Sequence, residues 1–395
     1  MKEIVIVEGV RTAIGRMGGS LANFRAEDLA AIAIEGLVKK TNVNPQTIDD
    51  VIMGIALSWH TAVNLCRWAV LKAGLPFSVP GLTVERQCGS GLQAIALAGQ
   101  RILAGDGEVF IAGGTESHST NPFKISRPTQ AFQLNPPGFI SWETAPRPEW
   151  NLVMGITAEN LAEQWKVSRE AQDEFSYHSQ MRAVKAIQTG RFKEEIIPVM
   201  VPQRKGDPIR FEVDEHPRAD TAINKLSTLP AIFKKGGTVT AGNSSGLNDG
   251  AAALLVMSAD KAERLGYKPL ARLLSSAVVG VDPRIMGIAP AYAIPKALQR
   301  AGLKFEQIDV VECNEAFAAQ TLAVVKELEN QGMKVNMEKL NPNGGAIALG
   351  HPNGMSGARL ALTVIRELHK RNERYGVASL CIGGGQGIAA IFERI

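Results

Sequence analysis

The sequence predicts an α/β fold, and three observations carry that reading. Short apolar runs alternate with helical patterns through the first third and again through the last third, the pattern of a largely parallel sheet covered on both faces. A weak internal repeat relates the two: Gly89 to Leu97 resembles Met355 to Leu362, and Glu108 to Gly114 resembles Ala378 to Gly384. Between them, periodicity fails from His118 to about Trp150, where Pro122, Pro128, Pro136, Pro137, Pro146 and Pro148 mark an insertion. Two similar halves are therefore expected, residues 1–117 with 245–265 and residues 266–395, with a loop domain of residues 118–244 inserted across their junction.

In order, the first half reads as a strand near Ile4 to Glu8, a helix from about Ala26 to Lys39, a strand at Asp50 to Ile55 and a helix around Leu65 to Ala73. A strand at Gly81 to Val84, a helix after Cys88 and a strand at Glu108 to Gly114 follow. Helices are expected at Thr157 to Lys166 and Ser168 to Thr189, the second opened by Ser168. The polar stretch Val201 to Lys225 reads as solvated surface, and Ala251 to Met257 as a small-residue helix or strand edge. The last third predicts strands at Pro269 to Gly280 and Gln307 to Glu312, and helices around Ala291 to Ala301, Ala316 to Leu328 and Ser356 to Lys370. A hairpin of Gly376 to Ile382 and Gly387 to Glu393 closes it.

Composition narrows the function. With 395 residues, 45% apolar and 21% charged, the chain can bury a large core, and no window offers the apolar run of a membrane span. The start enters a strand directly, so no secretion signal and no membrane partner are expected. Four cysteines make neither a disulfide framework nor a zinc pair, which fits a reducing, cytoplasmic setting with no metal. A net charge of +4 with interspersed signs argues against nucleic acid as partner, while a local basic cluster still suits a phosphorylated ligand.

Four clusters carry chemistry. Cys88, in Cys88-Gly89-Ser90-Gly91, stands where an apolar run meets a helix, and a helix N-terminus favours a thiolate. Its flanking glycines admit a substrate close to the backbone. Asn341 to Gly354 is a Gly-rich turn presenting His351 ahead of a helix, and Cys381-Ile382-Gly383-Gly384-Gly385 ends a strand in exposed backbone N–H groups. Cys313-Asn314-Glu315-Ala316-Phe317 follows an apolar strand. Each has a plain structural reading as well: Cys88 and Cys381 as core, His351 as a turn residue, Asn314 as a helix N-cap. A phosphate loop is not favoured, because neither glycine run is followed by lysine.

Together, and in this order, these four motifs resemble the signatures of the thiolase family, and Thr238 to Asp249 resembles its linker stretch. The resemblance covers essentially the whole chain. It implies a layered α-β-α-β-α core of two βαβαβαββ halves and an exchange of acyl-CoA plus acetyl-CoA with 3-oxoacyl-CoA plus CoA. Under it, Cys88 carries the acyl group, His351 is its base, and Cys381 exchanges an α-proton. One oxyanion falls to His351 with a water held by Asn314, the other to the backbone N–H groups of Cys88 and Gly383. Arg218 matches a contact to the nucleotide end of CoA and Ser245 one near its pantetheine arm. Met154, Phe233, Met286 and Phe317 match channel positions. No cofactor is implied, CoA thioesters being substrates, and a homodimer or homotetramer is expected, consistent with the apolar Phe123, Phe132, Phe139 and Trp142 of the insertion.

The sequence departs from the family at Asn353 and Met355, where small or aliphatic residues are usual, and at Val153, where a histidine often stands. Three competing functions are a ketosynthase-type condensing enzyme, a non-catalytic acyl-CoA binder and a thiol redox protein. The first generally has another acid-base group at the place of Cys381, the second has no use for a proton acceptor, and the third lacks a neighbouring-cysteine motif.

Overall fold

The structure, a computed structural model, describes residues 2–57, 62–128, 130 and 138–395. Phe132, Pro136 and Pro137 of the insertion lie outside the described residues. The first half comprises β1 (Ile4–Thr12), β2 (Gly15–Arg16), α1 (Ala26–Thr41), β3 (Asp50–Gly54), α2 (Leu65–Lys72), β4 (Gly81–Val84), α3 (Ser90–Ala104) and β5 (Val109–Ser117). The excursion that follows carries α4 (Met154–Gln164), α5 (Arg169–Gln188), β6 (Ile196–Ile197), β7 (Val199–Val201), β8 (Ile209–Phe211) and α6 (Ile223–Ser227). The chain then returns through β9 (Asn248–Ser258) and α7 (Ala259–Arg264). The second half adds β10 (Ala271–Gly280), α8 (Pro290–Ala301), β11 (Val310–Cys313), α9 (Ala318–Asn330), α10 (Ala346–Leu349), α11 (Asn353–Arg371), β12 (Tyr375–Ile382) and β13 (Gln386–Arg394).

The main sheet runs β11-β12-β13-β10-β1-β9-β5-β3-β4. Its two halves correspond. In the first, β3 pairs parallel with β5, and β5 with β9 and β9 with β1 are antiparallel. In the second, β11 pairs parallel with β12, and β12 with β13 and β13 with β10 are antiparallel. Strand β5 thus corresponds to β12, as the repeat predicts, and β1 meets β10 at Val5↔Arg272 and Ile6↔Ala271, joining the halves edge to edge.

Alternation along the strands builds the layers. Val109 and Ile111 of β5 pack with α1 and α2, while Phe110 and Ala112 pack with α3 and α11. Val377 of β12 packs with α8 and α9, and Leu380 and Ile382 turn to the same central helices. The order is therefore helix, sheet, helix pair, sheet, helix. Every residue of α11 from Gly354 to Ile365 is buried, so its polar Ser356 and Arg359 are bonded inside the protein, Arg359 to Glu312 at 3.1 Å.

Small residues set how closely α3 and α11 approach. A Cβ added at Gly91 would stand 2.7 Å from Gly354 O and 2.9 Å from Ala358 N, both backbone atoms that cannot swing aside. Gly91→Ala is expected to lower stability by roughly 2–3 kcal/mol, read as a lower urea midpoint at unchanged m-value.

The structure settles or changes three readings. Ala251 to Met257 lies in an interior strand, laddered on both sides and wholly buried, rather than in a helix or at an edge. The polar stretch includes part of an antiparallel ribbon, β7 with β8, and the short helix α6, rather than surface alone. Helix α9 starts at Ala318, and its N-cap position is Phe317, not Asn314.

Candidate active site

Cys88 sits in a 3₁₀ turn, Gln87–Gly89, that runs straight into α3. Gln87 is held at φ 44, in the left-handed region, and Ser90 ties the turn: its Oγ accepts from Arg86 N at 2.8 Å and donates to Gln87 O at 2.7 Å. A side chain at Gly89 would strike Ile382 Cδ1 at 2.6 Å, so the glycine lets the turn rest on the end of β12. Cys88 is half-buried, and its sulfur accepts a hydrogen bond from Asn353 Nδ2 at 3.1 Å. Burial pushes the thiol above its ordinary value, against the opposing pull of the Asn353 amide and the Gly383 backbone N–H. The expectation of a thiolate favoured by the helix N-terminus is thus corrected: desolvation outweighs it, and the proton must be taken by a base.

The His351 ring has a defined tautomer. His351 follows Gly350, which adopts φ 98, and its backbone N–H donates to Asn248 Oδ1 at 3.0 Å. Ser356 Oγ lies 2.6 Å from His351 Nδ1 and donates its own proton to Pro352 O at 2.9 Å. Nδ1 therefore carries the ring proton, and Nε2 keeps its lone pair, toward which Asn314 Nδ2 donates at 3.2 Å. The Asn314 backbone N–H is bonded to Ser379 O at 2.9 Å, which leaves the side chain free to turn to the imidazole. Its Oδ1 is buried and has no hydrogen-bond partner among the described residues.

Burial, with the charges of His118 and Arg359, lowers the His351 pKa to about 3, so the ring is neutral and able to accept a proton. The unfolded chain protonates this ring below about pH 6.5 while the folded protein does not, so stability falls as pH falls through that range. Between pH 7 and pH 5 this one group is expected to remove roughly 2 kcal/mol. Urea unfolding at both values should show His351→Asn losing less stability on acidification than the parent; equal losses would contradict a buried neutral imidazole.

Cys381, 1% exposed, ends β12 in a cluster with Met286 and Phe317, against which Met154 and Phe233 pack. Its thiol is raised well above the ordinary value by burial first, then by the charges of Cys88 and Cys313. The Phe233 and Phe317 rings meet edge to face with centroids 6.1 Å apart. Among the described residues a Cβ at Gly383 would find only Met154 Sδ at 3.8 Å and Thr144 Cγ2 at 4.0 Å, leaving space on that side of the backbone. The structure therefore brings the two cysteines, Gly383 and the four predicted channel residues together. Ser245 joins them from the linker, its N–H donating to Ala316 O at 2.9 Å. Arg218 stands further out with an exposed side chain, its backbone N–H bonded to Gln180 Oε1 at 2.8 Å. Its charge helps burial lower the pKa of His216 to about 4, and that ring packs against Gly246 beside Ser245.

The match to known proteins agrees with this geometry. The family model "Thiolase, N-terminal domain" matches residues 4–260, and "Thiolase, C-terminal domain" matches residues 267–394. The chain belongs to the thiolase family. It is 48% identical to an acetyl-CoA acetyltransferase of Chromobacterium violaceum over 395 residues, 99% of this chain and 100% of that one. It is also 48% identical to a β-ketoadipyl-CoA thiolase of Escherichia coli over 405 residues, 100% of both chains. The crystal structure of the Bacillus anthracis acetyl-CoA acetyltransferase superposes with a TM-score of 0.95 at 44% identity, covering 100% of this chain and 99% of that one. Human mitochondrial 3-ketoacyl-CoA thiolase in complex with CoA gives 0.93 at 41%, covering 100% and 98%. This thiolase is accordingly an acyltransferase.

Sequence reasoning missed several residues that position the thiolase site. Glu315, fully enclosed, accepts from Asn341 Nδ2 at 2.8 Å, Ser179 Oγ at 2.6 Å and Ile347 N at 3.3 Å, and so shapes the turn that leads to His351. Asn248 and Ser356 fix the histidine from its backbone and its Nδ1 side. The signal for Glu315 was its place beside Asn314, between the strand Val310–Cys313 and the apolar Ala316 and Phe317; a charge there must be buried and bonded.

Proposed function

We propose that this thiolase exchanges acyl-CoA plus acetyl-CoA with 3-oxoacyl-CoA plus CoA through an acyl group held on Cys88. The observation that carries the assignment is the set of donors converging on one sulfur. Asn353, two residues past His351, reaches Cys88 Sγ at 3.1 Å, and the N–H of Gly383, two residues past Cys381, also faces it. Three motifs far apart in the chain thus meet at a single atom.

In the first half of the cycle, His351 Nε2 takes the Cys88 proton and the sulfur attacks the thioester carbonyl. The backbone N–H groups of Cys88 and Gly383 receive the oxyanion, and CoA departs as its thiol on the proton of Cys381, which is left a thiolate while His351 keeps the Cys88 proton on Nε2. In the second, the Cys381 thiolate takes an α-proton from acetyl-CoA, and the enolate oxygen falls to the Nε2–H that His351 gained from Cys88 and to Asn314. The carbanion attacks the acyl carbon, the carbon–sulfur bond to Cys88 breaks, and the released thiolate takes its proton back from His351. Only acyl groups and protons move, so the cycle calls for no metal or redox cofactor. Met154, Phe233, Met286 and Phe317 line the channel, Ser245 adjoins the pantetheine arm, and Arg218 meets the nucleotide end of CoA.

Incubation with acetoacetyl-CoA and CoA tests the reading: enolate absorbance should fall as acetyl-CoA forms. Retained CoA binding without turnover would overturn it in favour of an acyl-CoA binder.

The same reading divides the chain at residues 1–117 with 245–265, 118–244 and 266–395, and places the enzyme in the cytoplasm, in fatty acid metabolism, as a homodimer or homotetramer. In support, Phe123, Phe139 and Trp142 of the excursion are 88%, 78% and 41% exposed, and β4 ends the sheet. Among the described residues no helix is long and apolar enough to cross a membrane. Light scattering that returns only the mass of one chain would refute the assembly.

A further inference from the structure

Asn353 departs from the residues usual at its place in the histidine turn, and the structure gives it two partners. Its Nδ2 lies 3.1 Å from Cys88 Sγ, and its Oδ1 lies 2.6 Å from Nε2 of His118, the residue that directly follows β5. An amide oxygen carries no proton, so the short contact to His118 requires Nε2–H as donor. With Oδ1 held there, the NH₂ group is directed at the sulfur. Asn353 opens the central helix α11, and His118 follows the adjacent strand, so both partners are mounted on rigid elements.

We propose that Asn353 is a further catalytic residue, an N–H donor to the Cys88 thiolate, and that His118 is the positioning residue that fixes the direction of its amide. This rests on the reading of Cys88 as the acyl carrier. The hydrogen bond strengthens when the sulfur is negative, as it is before attack and again when the acyl group leaves, and weakens in the thioester, whose sulfur is a poor acceptor. Asn353 thus favours the charged states of the cycle, in parallel with the Gly383 N–H. The other titratable groups that bear on the sulfur are Glu116 on β5, which opposes its ionisation, and Cys381, whose thiol Cys88 raises; His118 meets the sulfur through Asn353, and His351 lies two residues before Asn353.

The test reads Cys88 directly: the rate of its alkylation by iodoacetamide against pH, with the modified peptide located by mass spectrometry. Asn353→Leu is expected to slow alkylation at pH 7 about tenfold and to move its midpoint up by about one unit, one unit being tenfold in thiolate. His118→Leu should give a smaller slowing, and His118→Gln, which still offers an amide N–H, should recover most of the rate. The double variant Asn353→Leu with His118→Leu should be no slower than Asn353→Leu alone. Parental alkylation in Asn353→Leu, or an undiminished effect of His118→Leu in its background, would overturn the proposal. Should Asn353→Leu fail to fold, the contrast between His118→Leu and His118→Gln still decides, equal rates counting against it. Because alkylation needs no turnover, this outcome is separate from whether Cys88 carries the acyl group.

Discussion

Cys88→Ala is expected to abolish the acyl-enzyme and to lower thiolysis of acetoacetyl-CoA by at least about 10⁴-fold. The size follows from the chemistry. Without the sulfur there is no covalent intermediate, and the two acyl-CoA half-reactions cannot be run in sequence at one site. The side chain is half-buried at the surface of a turn whose shape is set by Ser90 and Gly89, so its truncation leaves that turn's hydrogen bonds in place. CoA binding should therefore survive. Mass spectrometry after brief exposure to acetyl-CoA is the direct check: the parent shows one acetyl adduct on the Cys88 peptide and the variant none. An adduct elsewhere with activity retained would assign the nucleophile to another residue.

The glycine-bearing motifs are legible in the sequence because each glycine marks a place where two parts of the chain touch. Gly89 lies against Ile382 and Gly91 against the backbone of α11, so the spacing of the first motif already encodes contact with the other two. The repeat is legible for a similar reason: β5 and β12 occupy equivalent interior places and face the same demand for small, apolar residues on both sides. What a residue does is harder to read than that it matters. Asn314 reads as an N-cap locally, yet the helix begins later, and its side chain answers to an imidazole 37 residues on. The bonds of Asn353 span 265 and 235 residues, and no local pattern reports such a partner. The place of Cys88 near a helix start points the wrong way about its ionisation, because desolvation is a property of everything packed around the sulfur. Strand β9 is hard to read because its alanine-rich start lacks the β-branched residues that mark strands, and its strand character comes from ladders on both sides.

Cys381→Ala is expected to separate the two halves of the cycle: Cys88 still acetylates, but carbon–carbon bond making and breaking fall by at least about 10³-fold. A sharper readout is exchange of the acetyl-CoA methyl protons with deuterated solvent, which the parent should catalyse and the variant should not. Exchange at the parental rate would show that another group takes the α-proton. On the proposed cycle, the order of events follows from the pair of sulfurs. Burial raises the Cys381 thiol, and a negative Cys88 raises it further. Acylation removes that second charge, so Cys381 ionises more readily once Cys88 is occupied, when its proton acceptor is needed. Cys88→Ala removes the same charge, and so Cys381 in that variant should be alkylated at lower pH than in the free parent enzyme. An unchanged midpoint would mean that the two thiolates do not sense each other, and the timing would have to come from substrate binding instead.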